Sequence, residues 1–207
     1  MRFNDEGLKL TGRDVTVARV VSRLTPAPLI NLYVGIIMTF SSPIGLGPLL
    51  NPGTSLLIVI VIMVVMPIVP ILVEASRGRT DLDVSSRQSR PRFFAFSLLC
   101  YAVAFAFFGY ASCLILQALS AAYFTVTLGV LVASFWTKVS VHGAGVGGPG
   151  TALLIIYGWP ATPVMLLWLL VIWSRTKLQQ HSLAQATVGV LLGILITLPT
   201  YALVYQV

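Results

Sequence analysis

The stretch SLLIVIVIMVVMPIVPILV, Ser55 to Val73, decides the class of the fold. Its 19 residues include no charged and no amide side chain. A helix needs about 20 apolar residues to cross the hydrocarbon core of a bilayer. The stretch lies inside a longer run, Leu24 to Val73, without Asp, Glu, Lys or Arg over 50 residues. Three more such runs follow: Phe93 to Thr137 (45 residues), Val139 to Ser174 (36) and Leu178 to Val207 (30). Only 9% of the 207 residues are charged, against roughly a quarter in soluble proteins. The chain reads as an all-α integral membrane bundle with no room for a separate soluble domain.

Helix breakers divide these runs. SSPIGLGPLLNPG, Ser41 to Gly53, separates an expected span at 27–48 from one at 54–74. FGYAS around Gly109 separates 93–111 from 115–136, and GWPATP, Gly158 to Pro163, separates 141–157 from 161–174. The last run is one span at 182–205. The expected count is about seven; taking GAGVGGPG, Gly143 to Gly150, as loop lowers it to six. Residues 27–207 then form a single transmembrane domain and residues 1–26 an N-terminal tail. In that tail Val17, Val20, Val21 and Leu24 recur at helical spacing, with Arg13, Arg19 and Arg23 elsewhere on the turn. This is the pattern of a helix lying on the membrane surface; a frayed tail is the plain alternative.

The charges are confined to the tail, the 74–92 loop, Lys138, and the pair Arg175 and Lys177. Two of the seven expected crossings separate each place from the next, so all four share one face of the membrane. The net charge is +7, but basic residues in short loops beside spans report topology rather than nucleic-acid binding. The same rule puts that face, and the N-terminus, in the cytoplasm. The mixed charge signs of the first 24 residues are not those of a signal peptide. Cys100 and Cys113 lie in apolar runs and say nothing of redox compartment.

Ionisable groups at membrane depth are functional candidates by default. The chain has two histidines, His142 in KVSVHGAG and His181 in SRTKLQQHSLAQ, and an arginine-rich loop, GRTDLDVSSRQSRPRF. Guanidinium forks hold phosphate oxygens bidentately. A histidine pair facing arginines suits phosphoryl transfer. One imidazole attacks phosphorus, the other protonates the leaving oxygen, and the arginines neutralise the equatorial oxygens. Taken singly, His142 also reads as a helix-packing residue and His181 as an interfacial one.

These three segments resemble the motifs of the type 2 phosphatidic acid phosphatase family: KxxxxxxRP, PSGH and SRxxxxxHxxxD. Ser174-Arg175, five residues, His181, three residues and Gln185 reproduce the third spacing, with Gln in place of the final acid. Ser140 and His142 match the second motif, with Val139 and Val141 for its proline and glycine. Arg90-Pro91 matches the end of the first, whose lysine position holds Asp83. The resemblance implies a multi-pass membrane lipid phosphatase without metal or cofactor. His181 would be the nucleophile that becomes phosphohistidine and His142 the general acid. Arg90 and Arg175 would hold the phosphate, with a hydroxyl hydrogen bond from Ser140. Arg87, on a helical turn beside Asp83 and Arg90, or Lys138 would replace the missing lysine. Gln185 would accept the His181 N–H while offering no charge to an imidazolium.

The substrate is expected to be a phosphate or diphosphate head on a lipid tail, polyprenyl or phosphatidate in type; membrane lipids are the other partners. Asp81 and Asp83 read as salt-bridge partners of the arginines. The lack of a second Asp-rich loop argues against a metal site of the prenyltransferase kind. The changes at Asp83, Val139, Val141 and Gln185 favour a rival reading: a weakly active or inactive relative that binds lipid phosphate or serves as a structural subunit. A transporter is disfavoured because the charges gather at one face rather than near the bilayer middle. GAGVGGPG reads either as a close-packing surface or as a source of backbone N–H groups for a bound phosphate.

Overall fold

A computed structural model describes residues 3–206, the Arg87 side chain excepted. Among them all regular structure is helical. A short amphipathic helix, α1 (Arg13–Leu24), leads into α2 (Ala27–Phe40) through a 59° bend. Next, α3 (Pro52–Ile58) and α4 (Met66–Ser76) continue through a π-helical stretch, Val59–Val65, as one rod. Then come α5 (Arg90–Tyr110), α6 (Leu114–Ala133), α7 (Val141–Tyr157), α8 (Val164–Lys177) and α9 (Leu183–Val204).

Helices therefore stand at all seven places where the sequence implied spans, although the first, expected over 27–48, ends at Phe40. Four of these stretches are long and apolar enough to cross a membrane: Pro52–Ser76, Arg90–Tyr110, Leu114–Ala133 and Leu183–Val204. The bent pair of α1 and α2 makes a fifth when taken as one span. α7, with 17 residues, and α8, with 14, are shorter. GAGVGGPG is helix, not loop: it forms the first half of α7.

α7 lies at the centre, packed along α9, with α6 against both. The glycine run makes this approach close enough. A Cβ at Gly147 would stand 2.3 Å from the Val190 carbonyl oxygen, and one at Gly193 would stand 2.6 Å from the Gly148 nitrogen. Both positions accept only a hydrogen, as in small-residue helix pairs of membrane proteins. α2 is tied in by a polar contact. Pro67 has no N–H to offer the Met63 carbonyl four residues back. The Asn31 side-chain amide donates to that carbonyl at 3.0 Å and to the Tyr101 hydroxyl at 3.0 Å.

α1 packs on the bundle through a face other than the valine one. Val15 and Ala18 are buried together with Leu178, whereas Val17, Val20 and Leu24 are about half exposed. Ala18 accepts a 2.7 Å hydrogen bond from the Ser174 hydroxyl. The tail is thus joined to the main bundle at the end of α8.

Candidate functional site

The five residues Lys138 to His142, just before and at the start of α7, touch each of the other motif segments. The Val139 carbonyl accepts from Arg90 Nη1 at 3.0 Å, and the Lys138 carbonyl lies 3.2 Å from His181 Nδ1. The Ser140 N–H donates to the Gln185 carbonyl at 3.3 Å, joining the starts of α7 and α9. Ser140 is also the N-cap of α7, its Oγ accepting the Gly143 N–H at 3.1 Å. A cap satisfies one of the free donors of a helix N-terminus.

The spacing from Arg175 to His181 is set by how α8 ends. Gln179 adopts a left-handed conformation, φ 55°, at the position where helices usually place glycine. The Gln180 N–H donates to the Arg175 carbonyl at 3.0 Å and the Gln179 N–H to the Thr176 carbonyl at 3.0 Å, which together form a Schellman motif. The His181 N–H also reaches the Arg175 carbonyl, at 3.3 Å. The turn folds the chain back over the last turn of α8 and brings His181 near the Arg175 guanidinium.

Asp83 closes the cluster. Its Oδ1 lies 3.4 Å from Arg175 Nη1 and 3.9 Å from His142 Nε2, and its Oδ2 accepts the Asn4 N–H at 3.4 Å. Arg175 Nη1 also donates to the Ser22 hydroxyl at 2.6 Å. Arg175 Nε is buried and has no hydrogen-bond partner among the described residues. Arg90 is fully enclosed, with Nε donating to the Val84 carbonyl at 3.2 Å. The tail, the 74–92 loop and the α8 end thus meet in one polar layer, reinforced by the Lys177–Asp14 pair and the 2.8 Å Arg19–Asp5 pair.

The electrostatics follow from this enclosure. Burial, and then the charges of Arg175, Lys138 and Arg90, push His181 down to about 3. Burial, followed by Arg90 and Arg175, lowers the Lys138 ammonium. Burial raises the Asp83 carboxyl against the opposing pull of Arg175. His181 is therefore a neutral imidazole. With Nδ1–H donating to the Lys138 carbonyl, its Nε2 carries the free lone pair.

Several expected roles are met differently. The Gln185 side chain does not accept from His181; its Oε1 takes the Ser182 N–H at 3.2 Å, while the Ser182 hydroxyl accepts the Gln185 N–H at 3.2 Å. This is a capping box, and the sequence Ser-x-x-Gln was its signal. The Ser140 oxygen is engaged as a cap, although its hydroxyl hydrogen remains a donor. Asp83 and Arg87 do not share a helical turn, since Asp83 precedes a short 3₁₀ turn, Arg87–Ser89, that leads into α5. The Arg87 side chain lies outside the described residues. Asp81 pairs with no arginine among the described residues; its carboxylate accepts from the Asp83 and Ser85 N–H groups and shapes the loop.

Ser22 went unnoticed in the sequence. Its signal was the spacing Val15, Ala18, Ser22, a small-residue face hidden beside the more conspicuous valines. The site also borders a crevice of about 140 Å³ that runs between α2, α4, α5 and α7. Asp83 and His142 lie at its polar end, and Ile68, Ile71 and Phe94 line its apolar part. Comparison with protein-family models, curated proteins and solved structures finds no match.

Proposed function

We propose that this chain is a membrane lipid phosphatase that works through a phosphohistidine on His181. The observation that carries this reading is the anchored His181: its Nδ1 is held by the Lys138 carbonyl, which leaves Nε2 to attack, beside an arginine with a spare buried donor. In the proposed reaction the phosphate head sits on Arg175 and Arg90, with Lys138 supplying the third positive charge. His181 Nε2 bonds to phosphorus as the bond to the lipid oxygen breaks. His142 takes up a proton as the dianionic head group enters its field, and gives it to that oxygen. Water then attacks phosphorus and passes a proton to His142. The P–N bond breaks, releasing inorganic phosphate and restoring neutral His181. The arginines stabilise the charge that accumulates on the equatorial oxygens.

The crevice supports a lipid substrate, because apolar side chains such as Ile68, Ile71 and Phe94 line it beside Asp83 and His142. Polyprenyl phosphate or diphosphate and phosphatidate fit this description. We further propose seven crossings, with the tail and the site on the cytoplasmic side. A reporter fused after Val207 then lies on the opposite side from one fused at the N-terminus.

A second reading is a weakly active or inactive relative that holds lipid phosphate or serves as a structural subunit. It is favoured by the Asp83 carboxylate standing among the phosphate-binding groups. Phosphate release from a panel of lipid phosphates by the purified protein and by His181→Ala separates the two. The phosphatase reading expects release from at least one lipid, falling about 10³-fold or more in the variant. Release no greater than the variant's background favours the second.

A further inference from the structure

The groups that surround Asp83 are those that bind phosphate: a guanidinium, an imidazole and a main-chain N–H. Yet they hold the carboxylate loosely. Charge-assisted N–H···O bonds measure about 2.7–2.9 Å, whereas the Arg175 contact is 3.4 Å; His142 Nε2, at 3.9 Å, lies beyond hydrogen-bond distance. Arg175 Nε, buried and without a partner, shows that the carboxylate does not fill the guanidinium fork. A tetrahedral phosphate has more oxygens to offer than a carboxylate, and a higher charge.

The segment bearing Asp83 is also strained. Val84, a buried β-branched residue, has φ 47°. That region is unfavourable for a side chain branched at Cβ, and such strain persists only where surrounding contacts impose it. Here the Asp81 carboxylate grips the loop on one side and Arg90 holds the Val84 carbonyl on the other. Asp83 projects between these two grips, at the polar end of the crevice.

We propose that Asp83 is a displaceable resident anion: it occupies the phosphate seat until an incoming phosphate expels it and frees the 81–86 loop. The inference rests on the phosphate-binding reading of the site. Asp83 then acts as an autoinhibitory contact that weakens every phosphate ligand by the cost of its expulsion, in the way that a binding-competent state of low population weakens apparent affinity. The Asn4 contact is released in the same step, which couples the tail to occupancy of the site.

The test is calorimetric titration of inorganic phosphate into the detergent-purified full chain and its Asp83→Asn variant. Phosphate is expected to bind the variant at least about tenfold more tightly, since a competing charge has gone. Phosphate binding by the wild type with equal or weaker binding by the variant overturns this inference and leaves the phosphatase reading standing. Binding by neither overturns this inference, and the phosphatase reading is then decided by release from the lipid phosphates. Should Asp83→Asn not fold, hydrogen exchange of the wild type decides: saturating phosphate is expected to speed exchange across residues 81–86. Unchanged or slowed exchange there overturns the inference.

Discussion

Nδ1 of His181 lies 3.2 Å from the main-chain carbonyl oxygen of Lys138, so a backbone acceptor stands where the Gln185 side chain was expected. The carbonyl fixes the tautomer and ring orientation. It supplies no full negative charge to an imidazolium, and a neutral His181 in this enclosure calls for none before attack.

Gln185 is accordingly a helix cap and not a partner of His181. Gln185→Ala should leave turnover within about threefold, and should lower stability by about 0.5–1 kcal/mol through loss of the capping box. Measuring kcat together with thermal unfolding checks this. A loss near the ~10⁴-fold seen when an acid behind a catalytic histidine is neutralised would show that Gln185 acts on the imidazole.

The depressed proton affinity of His181 has two consequences. Its NMR signals should report a neutral ring with Nδ1 protonated from pH 7 down to about 4.5, where an ordinary imidazole near 6.5 would be charged. Titration of His181 at pH 6–7 contradicts the burial argument. For stability, the unfolded chain takes up the proton near pH 6.5 and the folded one only near 3. His181 therefore lowers stability progressively as pH falls from about 6.5 towards 3, and has no pH-dependent effect above that window. His181→Asn should flatten this part of the stability profile.

Gln179 pays a conformational penalty at φ 55° that glycine would avoid. Gln179→Gly should raise stability by about 0.5–1 kcal/mol with activity retained, because the backbone bonds of the turn are unchanged. Gln179→Val should lose more than that and impair activity by shifting His181. A Gln179→Gly variant less stable than wild type contradicts the Schellman assignment.

Gly147→Ala places a methyl group 2.3 Å from a backbone oxygen of α9. Neither backbone yields cheaply, so the variant should lose about 1–3 kcal/mol. Turnover should fall with it, because His142 rides on α7 and the Ser140–Gln185 bond sets α7 against α9. Thermal unfolding and phosphate release are the two readouts. An unchanged melting temperature refutes the close packing.

The helices were legible because their signals are local: charge-free runs, prolines and glycines punctuate the chain at or near the observed ends. α7 could be read as loop, because glycine is a poor helix former in isolation and nothing local reveals that α9 lies against it. The histidines and Arg175 were legible through type and spacing. The role of Gln185 was not, although Ser182-x-x-Gln185 carried the capping pattern, since the resemblance assigned that position another task. Asp83 stood in the sequence as an arginine partner, and it is one. Its seat beside His142 depends on the fold of the 81–85 loop and on Asn4, contacts across 79 residues that no local pattern encodes. Ser22 was missed for the same reason: its face of α1 becomes meaningful only once α8 packs on it.

The central claim is that His181 carries the phosphoryl group, and trapping that intermediate tests it most directly. Purified protein is mixed briefly with a ³²P-labelled lipid phosphate, quenched in alkali and digested. The account predicts acid-labile, alkali-stable label on the peptide that contains His181, absent from His181→Ala. Phosphate release in the wild type without any label on that peptide would contradict it.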